Sequence, residues 1–455
     1  MEAALNSSVT GPRLSADDLL SPFVGALTPD AMWRIGTEAE KFGVLSESGQ
    51  AIAYEGPRGV RAILELLQRD FGWFPHAEYE GGDVISLERG PESITLEPGG
   101  QVELSGAPHA TVHDSAREWH GHLAELHEVG RQLGITWLGL GFHPFARQSD
   151  LPWVPKLRYG VMREYLPTRG GRALDMMRRT CTVQTNMDYA SEADAMQKMR
   201  VALKLSPIIT AMYANSPVME GRLTGEQSQR ARVWLDTDPD RTGLLPFMWS
   251  GEASFQRYVE WALDVPMFMV KRGSRVVHNT GQTFRSFMRD GFQGTHATEA
   301  DWLSHIGTVF PEVRLKKTIE IRGADCLPSA LVPSLPALSK GFLYDARALA
   351  QAEALAERIS LAELETVRPE IARLGLKASL HGRGVDAWAA DLLDIAKGGL
   401  TRFAVSDPEF GVDESVHLAP LAALVERGMT PADALLEKLD ESRDLQPQVL
   451  ELARL

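Results

Sequence analysis

In the segment Arg34-Ile35-Gly36-Thr37-Glu38-Ala39-Glu40-Lys41-Phe42, two glutamates stand two residues apart. Alternate side chains of an extended strand point the same way, so Glu38 and Glu40 emerge side by side on one face. Adjacent anions repel unless a cation sits between them, and hard carboxylate oxygens suit Mg²⁺. The chemistry this favours is metal-assisted handling of phosphate.

A second carboxylate pair lies in SITLEPGGQVELSG, residues 93–106, which reads as a hairpin around Pro98-Gly99-Gly100. Ile94, Leu96, Val102 and Leu104 share one face only if the loop has an odd number of residues, most simply those three. Thr95, Glu97, Gln101 and Glu103 then share the other. Glu97 and Glu103 become diagonal neighbours, roughly 7 Å apart at Cβ, a separation that suits two carboxylates holding one cation.

The segment Val313 to Arg322 reads as a strand with unequal faces. Arg314, Lys316, Thr318, Glu320 and Arg322 share one parity, and Val313, Leu315, Ile319 and Ile321 the other. A wholly polar face is also what a solvated antiparallel sheet shows. The presence of other strand-borne carboxylates makes a phosphate and metal surface the sharper reading. Gln184, Asn186 and Asp188 alternate likewise in CTVQTNMDY, either as an exposed face or as ligands for metal and substrate. In LDTDPDRTG the three aspartates lack the glycine and terminal glutamate of a calcium loop. Arg241 in that segment is either a surface arginine or a carboxylate clamp.

Placing these residues calls for an α+β arrangement. Strands are expected at Arg34–Phe42, Asp83–Glu88, the 93–106 hairpin, Ile135–Phe142, Cys181–Tyr189 and Val313–Arg322. Between them, helices are expected at about Pro57–Asp70, Thr111–Gly134, Ser191–Tyr213, Phe255–Leu263 and Trp302–Val309. Residues 1–30 read as a lead-in with a short helix near Asp17–Leu20, residues 31–337 as the sheet domain, and 338–455 as an Ala/Leu-rich helical region packed on it. No dinucleotide fingerprint, Walker A loop or HExxH is present. His109, His113, His120 and His122 read as surface, and Cys181 as a buried thiol.

With 47 basic and 61 acidic residues the 455-residue chain carries a net charge of −14 and no Lys/Arg-rich run, so a nucleic-acid footprint is missing. Two cysteines, Cys181 and Cys326, argue against a disulfide scaffold or structural zinc. The first twenty residues do not read as a signal or transit segment, and the apolar runs are too short for a membrane span. A cytoplasmic enzyme with no membrane or nucleic-acid partner is the expectation.

TEAEKFG, YEGGDVISLE, ITLEPGGQVELSGAP, RTCTVQTNMDY, ANSP, DTDPDRTGLLPF, ALDVPM, FPEVRLKKTIEIRGAD and GFLYD occur in this order from Thr37 to Asp345. Together they resemble the plant and proteobacterial class of glutamate–cysteine ligase. The resemblance implies a glutamine-synthetase/guanido-kinase-like fold: a curved, mainly antiparallel sheet with helices on its outer face and a concave face for ATP, metal and glutamate. It implies that Glu38, Glu40, Glu97, Glu103 and Glu320 bind two or three Mg²⁺, with Gln184 where more distant ligases place a metal-binding histidine and Asn186 beside it as a polar contact. Arg322, with Lys316, would reach the nucleotide phosphates, Arg322 and Glu320 would serve the chemistry, and Arg241 would hold the glutamate carboxylate.

The implied reaction joins the γ-carboxylate of L-glutamate to the amine of L-cysteine through γ-glutamyl phosphate, with ATP as co-substrate, as the first step of glutathione biosynthesis. The protein is expected to be a monomer or homodimer. With two cysteines only, the disulfide control described for plant members is not expected. Alternatives are a glutamate ligase with another amine acceptor and a non-catalytic nucleotide- or metabolite-binding relative.

Overall fold

The computed structural model describes residues 12–273, 275–409 and 411–455. The first eleven residues of the expected lead-in lie outside them. Its short helix appears as a 3-10 turn at Asp17–Leu20.

Nine strands build one sheet: β1 (Ile35–Leu45), β2 (Phe74–Ala77), β3 (Val84–Arg89), β4 (Glu92–Leu96), β5 (Val102–Ser105), β6 (Ile135–Leu138), β7 (Thr182–Met187), β8 (Val313–Leu315) and β9 (Ile319–Asp325). Their order is β8-β9-β7-β1-β5-β4-β3-β2, with β6 pairing the far end of β1. Every pairing is antiparallel. The four residues Ile94, Leu96, Val102 and Leu104 are buried together, as their parity requires. Register confirms it, since Ile94 faces Leu104 and Leu96 faces Val102. The loop has three residues, closed by Gly100 N–H donating to Glu97 O at 2.9 Å. Gly100 sits at φ 84°, a left-handed conformation that favours glycine.

The expected single strand Val313–Arg322 is instead a hairpin. β8 and β9 pair around Lys316-Lys317-Thr318, where Lys316 N–H donates to Thr318 O at 2.9 Å. Three residues is again an odd count, so Arg314 and Glu320 keep the same face although the strand has doubled back. Arg314 lies directly opposite Glu320. A bulge follows in β9 between Ile321 and Ala324, and bulges re-aim side chains.

The apolar face of the sheet is covered by helices α1 (Val60–Phe71), α2 (Val112–Leu133), α3 (Leu157–Tyr165), α4 (Ala173–Arg179), α5 (Glu192–Met212), α6 (Gln229–Trp234), α7 (Phe255–Asp264), α8 (Glu299–Ile306) and α9 (Ser334–Leu343), or flanked by them. Helix α8 begins before the expected Trp302 because Thr298 and Asp301 form a reciprocal capping box. The helical region beyond the sheet begins within α9, which packs on β7 and β1, so the expected boundary at 337/338 falls inside one helix. Two histidines assigned to the surface are buried: His113 and His122 lie on the inward stripe of α2 with Trp119 and Leu123. His122 accepts at Nε2 from the buried Lys41 ammonium at 2.7 Å, and burial lowers that lysine to about 7. No helix among the described residues is long and apolar enough to cross a membrane.

Candidate active site

Pairing brings the separate polar parities onto one surface. Glu38 faces Gln184, Asn186 faces Glu320, Glu40 faces Glu103 and Glu103 faces Thr95. This surface is the floor of a cleft of about 770 Å³. Glu38, Glu40, Glu97 and Glu103 all line it, with Arg314, Lys316 and Arg322 at one edge. Charge is thus sorted along the sheet, acidic at its middle and cationic over β8 and β9.

The acidic middle is under repulsion. Burial, then the Glu320 and Glu103 carboxylates, push Glu38 up to about 7. Burial, then Glu97 and Glu103, raise Glu40 well above the usual range, and burial and Glu97 raise Glu103. Neighbouring groups hold these side chains in place. Asn186 Nδ2 donates to Glu38 at 2.9 Å, Thr182 N–H donates to Glu40 at 3.0 Å, and the Thr95 hydroxyl donates to Glu103. Among the described residues no three His, Cys, Asp or Glu side chains are arranged to hold a metal ion by themselves. Mg²⁺ commonly takes one or two carboxylates and completes its shell with substrate phosphates and water, so this donor set fits a nucleotide-borne Mg²⁺.

The cationic edge is organised by Glu320, which has no solvent exposure. Arg314 grips it with Nε at 2.6 Å and Nη2 at 2.9 Å, Arg322 Nη1 reaches it at 2.7 Å and Lys316 Nζ at 2.8 Å. These cations hold its carboxyl well below the usual range despite burial. Glu320, expected among the metal ligands, has both its oxygens on these cations. Its place is that of a shared counter-ion. Gln184 likewise spends its amide oxygen on Arg322 at 2.6 Å, and Asn186 bridges Glu38 and the Thr318 hydroxyl.

Arg241 is not brought to the cleft. It is fully buried, with Nε on Asp238 at 2.6 Å, Nη1 on Thr308 O at 3.1 Å and Nη2 on Pro266 O at 2.8 Å, and its plane lies over Phe268. A guanidinium with these donors spent cannot clamp a substrate. The other aspartates of that segment hold the loop in place, Asp236 accepting from Gly171 N–H and Asp240 pairing with Arg169.

Sequence reasoning missed other cleft residues, because nothing in their local pattern marks them. Lys156 Nζ donates to Leu96 O at 2.8 Å, and Arg230 donates to the carbonyls of Arg322 and Gly323 at 2.8 and 3.3 Å. Lys271 lies 3.7 Å from Glu78. Arg158, at the start of α3, differs from all of them. Among the described residues its one hydrogen bond runs from Nη2 to the Tyr159 hydroxyl at 3.4 Å, and its buried Nε has no partner there. Of the cations lining the cleft among the described residues, Arg158 alone keeps its fork of donors free.

The model of glutamate–cysteine ligase family 2 matches residues 34–451. Glutamate–cysteine ligase B, chloroplastic, of Oryza sativa subsp. japonica is 42% identical over 426 residues, covering 93% of this chain and 84% of that one. The chloroplastic enzyme of Medicago truncatula is 41% identical over 427 residues, covering 93% and 82%. Among solved structures, the chain is similar to the glutamate–cysteine ligase of Francisella tularensis in complex with AMP. That likeness has a TM-score of 0.54 at 11% identity over 92% of this chain and 87% of that one. A bifunctional glutathione synthetase from Pasteurella multocida matches with TM-score 0.53 at 14% identity, over 96% and 53%. These two structures bear out the mixed helix and antiparallel-sheet fold. The expectation of a cytoplasmic protein is overturned by the plant relatives, which are named chloroplastic.

Proposed function

The chain belongs to glutamate–cysteine ligase family 2, and on that premise we propose how its cleft carries out the reaction. The enzyme joins the γ-carboxylate of L-glutamate to the amine of L-cysteine, the first step of glutathione biosynthesis. One observation carries the assignment of the site: four mutually repelling carboxylates on β1, β5 and the end of β4, beside three cations gathered by Glu320.

A carboxylate is a poor electrophile, so the γ-carboxylate of glutamate must first take the γ-phosphoryl group of ATP. Glu38, Glu40, Glu97 and Glu103 would hold Mg²⁺, whose bound charge offsets that of the phosphates. Arg322 and Lys316 face the transferred phosphoryl group, and Glu320 fixes their positions. One such preorganised donor is worth about 3 to 4 kcal/mol in the transition state. Arg314 completes this edge without moving, because its donors are shared with Glu320 and the Gly307 and Val309 carbonyls.

Choosing the γ- over the α-carboxylate requires the latter to be pinned away from the phosphate. Arg241 was the expectation, and Arg158 is the residue with a free bidentate fork. It lines the cleft in the field of Glu97 and Glu103, whereas Arg322 pairs with Glu320, so the two guanidiniums are available to different anionic ends of glutamate. The cysteine amine then attacks the acyl phosphate, forming the amide and releasing phosphate.

Mass spectrometry of an incubation with glutamate, cysteine, ATP and Mg²⁺ tests this reading. γ-Glutamylcysteine and ADP in equal amounts support it. ATP left unconsumed with cysteine, but consumed with another amine, would overturn the acceptor assignment.

A further inference from the structure

Leu96 ends β4 and Glu97 follows it, so whatever holds the Leu96 carbonyl holds the peptide that leads into a proposed metal ligand. That carbonyl accepts twice, from the Tyr159 hydroxyl at 2.9 Å and from Lys156 Nζ at 2.8 Å. Just past Glu97, the Pro98 carbonyl accepts from Val154 N–H at 3.0 Å. All three donors belong to one short stretch, 154–159, which runs into the first turn of α3 and carries Arg158. The segment bearing the free guanidinium is thus fastened to the backbone on both sides of Glu97.

Neither partner of this joint has room to drift. Gln101 accepts from Gly99 N–H at 2.8 Å and donates to Thr180 O at 2.9 Å, and a Cβ on Gly99 would run into the Arg178 carbonyl. The start of α3 is tied as well, because Leu157 N–H donates to Glu78 at 2.7 Å. Tyr159 is buried, and two cations lie by its ring, Lys156 Nζ at 5.5 Å and the Arg158 guanidinium at 5.1 Å from the centroid. A phenol can donate one hydrogen bond and accept others. The Tyr159 hydroxyl donates to Leu96 O and accepts from Arg158 Nη2 at 3.4 Å. A single oxygen therefore links the guanidinium to the peptide before Glu97.

We propose that Tyr159 is a positioning residue that sets Arg158 and Glu97 in one frame, so that the hold on glutamate and the hold on Mg²⁺ are coupled through its hydroxyl. A guanidinium clamps a carboxylate bidentately only when its plane is fixed, and Mg²⁺ demands near-octahedral placement of its oxygen ligands. Loosening the Leu96 carbonyl relaxes both at once. Arg158 also lies in the field of Glu97 and Glu103. A cation on those carboxylates offsets their repulsion of an incoming substrate carboxylate, which makes the coupling positive. It is also reciprocal: glutamate tightens Mg²⁺ by the factor by which Mg²⁺ tightens glutamate. The inference rests on the reading that Arg158 clamps glutamate and Glu97 holds metal.

Tyr159→Phe keeps the ring and removes the oxygen. With the other ligands saturating, the KM for glutamate and the half-saturating Mg²⁺ should each rise about 3- to 10-fold, the worth of one neutral hydrogen bond, while the KM for cysteine stays put. Added to Arg158→Ala, the same change should raise only the Mg²⁺ requirement; added to Glu97→Gln, it should raise only the glutamate KM. Calorimetric titration of glutamate with and without Mg²⁺ and a non-hydrolysable ATP analogue reads the coupling directly, and the gain in affinity should be smaller in Tyr159→Phe than in the parent. An equal gain in both proteins, a rise in one constant alone or in neither, or an undiminished effect on glutamate once Arg158 is gone overturns the proposal. Arg158→Ala with an unchanged glutamate KM instead refutes the clamp on which it rests.

Discussion

Glu40 on β1 and Glu103 on β5 are directly opposed residues of one antiparallel ladder, so two carboxylates face each other across the cleft floor. Opposed residues have Cβ atoms about 4.5–5.5 Å apart, and like charges there are destabilising. Burial and the nearby Glu97 raise the carboxyl groups of both. The fold thus retains a repulsion that a divalent cation would relieve.

Glu40→Gln and Glu103→Gln should each lower ligation at least about 100-fold while leaving the metal-free protein as stable as the parent or more so. The parent should gain about 3 kcal/mol of stability at a Mg²⁺–nucleotide concentration 100 times its dissociation constant, by mass action. Thermal unfolding with and without Mg²⁺ and nucleotide measures both effects. A variant whose melting temperature rises with the ligand as much as the parent's refutes the carboxylate's metal role.

Arg158→Ala removes a guanidinium with one weak hydrogen bond, so the fold should not notice. A hydrogen bond to a charged group is worth about 1.5–3 kcal/mol, so the KM for glutamate should rise roughly 10- to 100-fold. Initial rates with glutamate varied at saturating ATP and cysteine check this, and an unchanged KM removes Arg158 from the site.

Arg241→Ala should act the other way. It takes the 2.6 Å partner from the buried Asp238 and leaves only the Arg169 guanidinium 3.7 Å away, and breaking a buried pair costs about 3–5 kcal/mol. Urea denaturation should show that loss. Whatever fraction stays folded should bind glutamate with the parent KM, and a rise in that KM at undiminished stability contradicts the assignment.

Acid should destabilise the protein through buried histidines. Burial lowers His143 to about 3 and His305 to about 4, against about 6.5 in an unfolded chain. Below pH 6.5 the unfolded state takes up these protons and the folded state does not. Stability present above 6.5 is therefore lost as pH falls toward 4. Between pH 6.5 and 5 each histidine accounts for about 2 kcal/mol. Replacing His305 by Phe keeps an aromatic ring beside Phe284 and Trp302 and should flatten the profile. Urea midpoints at pH 8, 6.5 and 5 in parent and variant decide it; parallel curves would show that His305 is not a source.

Much of the site is legible in the sequence because strand periodicity is a local property. Glu38 with Glu40, and Glu97 with Glu103, share faces by parity alone, and the three-residue loop at Pro98–Gly100 follows from requiring four apolar residues on one side. Even where the hairpin at Lys316–Thr318 was read as one strand, the parity of Arg314, Glu320 and Arg322 survived, since an odd turn conserves it.

Pairing between charges distant in sequence is a different matter. In the linear chain Arg241 follows Asp240 and Arg158 precedes Tyr159, and neither setting tells whether the guanidinium is spent. One is spent on Asp238 and two carbonyls, and the other keeps its donors free. Glu320 has the same spacing from neighbours as Glu38, yet Arg314, Lys316 and Arg322 claim both its oxygens. The sequence by itself determined which side chains share a face, because that depends on a two-residue repeat. Only the tertiary structure decided which charges are already satisfied and which await a ligand, because electrostatic partnership depends on distances set by how the strands and loops come together.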